Sequence, residues 1–120
     1  MTKVQGKGEA GEAVFQAAQA LDELGVFSIV LELIPIDLAK RISEAVSCPT
    51  IGIGAGPYCD GQVQVFHDIL GLGTEYFRHT KRYANGYDLF VDGISTYAEE
   101  VRSGCFPLSE HGFEDHSKRS

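Results

Sequence analysis

A single carboxylate closes an apolar run. The stretch Phe27-Ser28-Ile29-Val30-Leu31-Glu32-Leu33 has the composition of a buried strand, and parallel sheets carry their chemistry where the strands finish. Glu32 at that end is a candidate for moving protons; the alternative is a first solvated residue, or an acceptor for backbone N–H groups near Ile34-Pro35. The second candidate is Gly52-Ile53-Gly54-Ala55-Gly56, because glycine runs after a strand bring backbone N–H donors close to phosphate or carboxylate groups. Gly52, Gly54 and Gly56 are therefore candidate substrate-binding positions. The G-x-G-x-x-G spacing of dinucleotide folds is absent, Pro57 and Asp60-Gly61 stand where a helix should open, and a crowded turn accounts for the glycines equally well.

Three further groups carry weaker signals. His67-Asp68 has the residue types of an acid–base pair, but neighbours on a strand point to opposite faces, so Asp68 is expected to open a helix as its N-cap. Arg78, His79, Lys81 and Arg82 form the one basic cluster, suited to steering an anionic substrate or to a solvated face. Cys48, Cys59 and His67 have poor spacing for zinc, and no residue is assigned to a metal.

The elements that must position these residues follow from periodicity. Val14, Ala17, Ala18, Leu21 and Leu24 recur at helical spacing over 12–24, with Gly25 as the stop. The strand 27–33 comes next, with Ser28, Val30 and Glu32 on one face and Phe27, Ile29, Leu31 and Leu33 on the other. Pro35 opens a second helix, carrying Leu38, Ala39, Ile42, Ala45 and Val46, that ends near Ser47. A short strand 50–53 completes a βαβ unit, which sets Glu32 and the glycine run side by side at one sheet edge. If the apolar set packs on helices, Glu32 looks into a barrel centre or a crevice and is partly desolvated there. The stretch 62–66 reads as a third strand, 71–87 as a long irregular connection, and 88–102 as a helix capped by Gly104.

With 120 residues, 43% of them hydrophobic, the chain has material for one modest core. Its net charge of −7 repels nucleic acid and anionic membranes. No apolar run is long enough for a membrane span, the first residues lack the hydrophobic stretch of a signal peptide, and three cysteines without C-x-x-C spacing suit reduced thiols. A cytoplasmic location is expected.

Taken together the motifs have a precedent. Val4-Gln5-Gly6-Lys7, Val30-Leu31-Glu32-Leu33-Ile34-Pro35 with Leu38-Ala39-Lys40-Arg41-Ile42, Thr50 to Gly56, Cys59-Asp60-Gly61-Gln62-Val63 with His67-Asp68 and Leu70-Gly71, and Phe106-Pro107 near His111 closely resemble the ketopantoate hydroxymethyltransferases, in order from Val4 to about Phe113. The resemblance implies an α/β fold: parallel βα units from the C-terminal part, the last three strands, of a (β/α)8 TIM barrel. Residues 1–108 would form that partial barrel and 109–120 a polar tail. Transfer of a hydroxymethyl group from 5,10-methylenetetrahydrofolate to 3-methyl-2-oxobutanoate is implied, with Glu32 as the base, giving 2-dehydropantoate on the way to pantothenate. The family also uses Mg²⁺, whose carboxylate ligands lie on earlier strands that this chain lacks. A homo-oligomer, or completion by an N-terminal half, is implied as well. Two other readings remain open: an inactive fragment or accessory chain that associates with another subunit, and a phosphate-binding module built on the glycine loop. One segment, Thr74 to Thr80, departs from the proline- and lysine-marked stretch of relatives.

Overall fold

Residues 4–118 are described in a computed structural model. Met1-Thr2 and the last two residues of the tail therefore lie outside the described part. The chain begins its regular structure with helix α1 (Glu9–Glu23), followed by strand β1 (Ile29–Glu32), helix α2 (Ile36–Ala45), strand β2 (Thr50–Ile53) and strand β3 (Gly61–Gln62). After these come a single helical turn α3 (Phe66–Ile69) and the long helix α4 (Gly86–Ser103). The strands form one parallel sheet in the order β1-β2-β3, with Glu32 paired to Ile53 and Gly52 to Gln62. Consecutive parallel strands in chain order are what the expected α/β architecture requires.

Alternation decides which face is covered. Ile29 and Leu31 of β1 are buried whereas Val30 and Glu32 are exposed. Phe15 and Ala18 from α1, and Leu38, Ala39 and Ile42 from α2, close over Ile29 and Leu31 with Ile34, Val46 and Ala55. Both helices therefore lie on one face of the sheet. The helical spacing of their apolar residues is the reason, since a stripe at i, i+3, i+4 can be buried only against such a face. On the other face Val30 is exposed.

Polar ties fix the helix layer to the strand starts. The Asp22 carboxylate near the end of α1 accepts hydrogen bonds from the Ser47 N–H at 2.9 Å, the Ser47 hydroxyl, and the Cys48 N–H at 3.1 Å. The Thr50 side chain is fully buried; its hydroxyl shares a 2.8 Å hydrogen bond with Ser43 of α2 and accepts one from the Asp60 N–H at 3.2 Å. Asp60 in return accepts the Thr50 N–H at 2.8 Å. Lower on the same layer, Arg41 pairs with Glu12 at 2.9 Å and lies over the Phe15 ring.

Two expectations need correction. The third strand is two residues long rather than 62–66: after Gln62 only the Val63 N–H continues the pairing, to the Gly52 carbonyl at 3.0 Å, and Val65 already serves as N-cap of α3. Asp68 is thus not the N-cap but lies inside that turn. In the polar tail beyond 108, 3-10 turns form at Ser109–His111 and His116–Lys118. The helix expected over 88–102 is present as α4 and ends at Gly104 in the left-handed conformation. Only Gly86 of α4 is buried, fitting under Leu70 and Leu72, and the rest of the helix projects. The molecule measures 82 Å in its longest direction and 19 Å in its shortest for that reason.

The Asp22 ties carry a pH signature. Hydrogen bonds from Ser47, above all its backbone N–H, and from Cys48 hold this carboxyl below its usual 3.8. A depressed folded value means stability that is present above the unfolded value and lost as pH falls through the folded one. Asp22→Asn is expected to lower the urea midpoint at pH 7, with the difference from the parent chain shrinking as pH falls below about 3.8; an equal difference at pH 7 and in acid would contradict this account.

Candidate active site

Glu32 is the last residue of β1, on the face opposite the helices. The alternation reading placed it on that face, and the structure agrees. Its expected desolvation is not present: Glu32 is exposed, as is Val30 on the same face of β1. Neighbouring Ile53 is half-buried at the equivalent position of β2.

Immediately after Glu32 the backbone turns sharply. Leu33 has φ of +52°, a conformation that a branched side chain rarely adopts and that costs on the order of 1–3 kcal/mol. Three contacts hold it there. The Leu33 N–H donates to the Ile53 carbonyl at 2.9 Å, the Leu33 carbonyl accepts the Gln5 N–H at 2.7 Å, and the side chain occupies the notch beside Gly54. A Cβ at Gly54 would stand 2.5 Å from Leu33 Cδ2 and 3.2 Å from the His79 side chain, and Gly54 itself has φ of +66°. The kink that ends β1 after the carboxylate is therefore made by the two residues that directly follow adjacent strands.

Above the strand ends lies a cavity of about 850 Å³. Leu33, Pro35, Ile36, Gly54, Gly56, Arg78 and His79 are among the residues that line it. Of the three glycines expected to bind substrate, Gly54 and Gly56 line this cavity. Gly52 faces elsewhere, and the space where its Cβ would be is taken by Cys59. At Gly56 the side chain of Ile36 fills the corresponding space. His67 and Asp68, on α3, are not part of the cavity lining. A second hollow of about 450 Å³ lies over the α1–α2 junction, between Gly6, Gly11, Leu38 and Arg41.

Sequence reasoning left the Arg78 to Arg82 cluster undivided and did not foresee His79 at the cavity. The signal was the loss of a side chain at Gly54, which makes room for a ring, but nothing local says which ring enters from so far along the chain. Metal ligands are not brought together: among the described residues no group of three or more His, Cys, Asp or Glu side chains could hold an ion. Cys48, Cys59 and Cys105 form no disulfide, and burial, then the Asp22 carboxylate, pushes the Cys48 thiol up, away from thiolate chemistry.

Residues 1–109 match the family model described as ketopantoate hydroxymethyltransferase. The chain belongs to that family. It is 48% identical over 118 residues to the 3-methyl-2-oxobutanoate hydroxymethyltransferase of Thermotoga maritima, covering 97% of this chain and 44% of the relative. The enzymes of the same name from Pelobacter propionicus and Moorella thermoacetica are 53% and 52% identical, each over 92% of this chain and 42% of their own length. The chain thus spans less than half the length of these curated relatives and corresponds to their C-terminal part.

The Leu33–Gly54 contact can be tested apart from any activity. Gly54→Ala meets both the positive φ and the Leu33 side chain, so a loss of roughly 1–3 kcal/mol is expected in denaturant unfolding. Pairing it with Leu33→Ala should recover part of that loss; full additivity of the two changes would show that the kink does not depend on the notch.

Proposed function

We propose that this chain supplies the proton-transfer base and one side of the substrate pocket for hydroxymethyl transfer to 3-methyl-2-oxobutanoate. The observation that carries the reading is the position of Glu32: at the end of β1, on the open face, one residue before the wall of the cavity. Its carboxylate takes the C3 proton of the keto acid, and the resulting enolate carbon forms a new bond to the methylene unit of 5,10-methylenetetrahydrofolate. Water supplies the hydroxyl group as tetrahydrofolate leaves, giving 2-dehydropantoate, a precursor for pantothenate and coenzyme A. Enolate formation is the demanding step, and a base fixed by strand and kink shortens the search for the right geometry.

Among the described residues no group of three or more His, Cys, Asp or Glu side chains could hold an ion, and no step is assigned here to the Mg²⁺ that the resemblance implies. We infer that the remaining strands of a (β/α)8 barrel come from an N-terminal half, which would cover the bare face and take Glu32 out of solvent. Among the described residues no helix is long and apolar enough to cross a membrane, and unpaired thiols agree with a cytoplasmic setting.

A second reading has its own support. Leu89, Phe90, Ile94 and Tyr97 on α4 are each at least 60% exposed, which suits an accessory chain that associates with another subunit without catalysis. The two readings separate in one experiment. Loss of the C3 proton of 3-methyl-2-oxobutanoate is followed by NMR in deuterated water, for the chain alone and co-expressed with the N-terminal segment of a relative, with Mg²⁺ present. Exchange that appears with the segment and falls at least a hundredfold in Glu32→Gln is the expected result. Exchange unaffected by the substitution would remove Glu32 from the base role, and a stable complex without exchange would favour the accessory reading.

A further inference from the structure

The chain contains a single asparagine, Asn85, and a glycine follows it. Asparagine before glycine is the pair whose side chain and backbone react most readily with one another, because the glycine nitrogen has no adjacent Cβ to hinder its attack. The pair sits where α4 joins the α3 turn. Gly86 is the only buried residue of α4, and the N–H groups of Tyr83, Gly86 and Tyr87 donate to the carbonyls of Ile69, Leu70 and Gly71 at 2.7, 2.8 and 2.8 Å. The fit is tight, since a Cβ at Gly86 would stand 2.5 Å from Leu72 Cδ2 and 2.6 Å from the Leu70 carbonyl oxygen.

The docked geometry holds that reaction off in three ways. Asn85 has ψ of 60°, which places the Gly86 nitrogen opposite the Asn85 Cβ across the Cα–C bond, whereas closing a five-membered ring through Cβ needs the two on the same side. The Gly86 N–H, which must lose its proton before the nitrogen can attack, is engaged by the Leu70 carbonyl. The Asn85 amide, which must leave, donates to the Asp88 carboxylate at 2.7 Å. Turning ψ by half a circle swings Gly86 and everything after it. The ring can therefore close only when the hydrogen bonds to Leu70 and Gly71 are broken and α4 has left its seat.

We propose that Asn85-Gly86 is a self-modification site gated by the docking of α4. With the helix undocked, the Gly86 nitrogen gives its proton to solvent and its lone pair forms a bond to Asn85 Cγ; the Cγ–Nδ2 bond breaks, and the amide takes a proton from solvent and leaves as ammonia. One water then opens the succinimide. Addition at Cγ leaves an aspartate, and addition at the backbone carbonyl leaves an isoaspartyl link, in which the main chain runs through Cβ and Cγ. Neither product restores the seat. The isoaspartyl link lengthens the backbone by one methylene between Tyr83 and Gly86, so the hydrogen bonds to three consecutive carbonyls lose their register. Aspartate replaces the donor to Asp88 by a second carboxylate, and like charges three positions apart on a helix repel. The step needs only water and does not rest on the hydroxymethyl-transfer reading.

The test incubates the purified full chain at mildly alkaline pH, in buffer and in denaturing urea. Mass spectrometry of the tryptic peptide 83–102, which holds Asn85 and no glutamine, follows the gain of about one dalton against an unincubated sample. Modification at least about tenfold slower in buffer than in urea is expected. A Leu72→Ala chain, shown by circular dichroism to be folded, should react several times faster than the parent in buffer and at the parent rate in urea. Hydrogen exchange of the modified chain should show lost protection at Tyr83, Gly86 and Tyr87 with the amides of β1 and α2 unchanged, and Asn85→Asp, which carries the aspartyl product without incubation, should lose it as well. Equal rates in buffer and urea, a folded Leu72→Ala chain that reacts no faster than the parent, or full protection at Gly86 and Tyr87 in the modified chain would each overturn the proposal.

Discussion

The buried hydroxyl of Thr50 is the point on which the sheet depends. It sits at the first residue of β2, bonded at once to Ser43 of α2 and to the Asp60 N–H just before β3, while Asp60 returns the bond to the Thr50 backbone. Those contacts set where β2 and β3 begin relative to one another and to α2. Because parallel strands share one direction and one rise per residue, fixing their starts fixes their ends. The Gly52 to Gly56 loop, the β1 terminus and the cavity above them are thus placed by a polar network at the opposite edge of the sheet. This division agrees with the general rule that the amino-terminal side of such sheets holds the fold and the carboxyl-terminal side holds the chemistry.

Helix α2 shows why the first half of the chain was legible. Pro35 at its start, Leu38, Ala39 and Ile42 at helical spacing and Pro49 beyond its end leave little choice of limits, and the same residues are those buried against Ile29 and Leu31. The face assignment of Glu32 followed from alternation alone. Limits were less legible where pairing partners rather than composition decide them: Val63 and Val65 have strand character, but after Gln62 the chain leaves the ladder and turns into α3.

Long-range packing was hidden from local pattern. Nothing around Gly54 announces that its missing Cβ is replaced by Leu33 from one side and His79 from the other. Glycine allows both a turn and a close approach, and here it serves both, with positive φ and two side chains in its notch. The Arg78 to Arg82 stretch likewise looked uniform as charge, and only the loop geometry separates Arg82, spent on the carbonyls of Gly73 and Glu75, from Arg78 at the cavity. The helical spacing of α4 was legible, but not what the helix would face, because an amphipathic period does not record against what a face is buried.

The bare face of the sheet and the strained Leu33 belong to one physical argument. A carboxylate at a strand end is ordinary when solvated, and an exposed Glu32 has no reason to be held tightly. Yet the backbone next to it is held in a conformation that disfavours leucine, by a hydrogen bond across to β2, another to Gln5, and the notch at Gly54. Strain of that kind persists only where the surroundings over-determine it. Its effect is to turn the chain away immediately after Glu32, so that Leu33 joins the cavity wall while Glu32 stays on the open face. The Glu32 carboxylate and the cavity consequently stand on either side of a single peptide bond. An opposing layer that covered Val30 would then desolvate Glu32 without moving it, because the kink already fixes its direction.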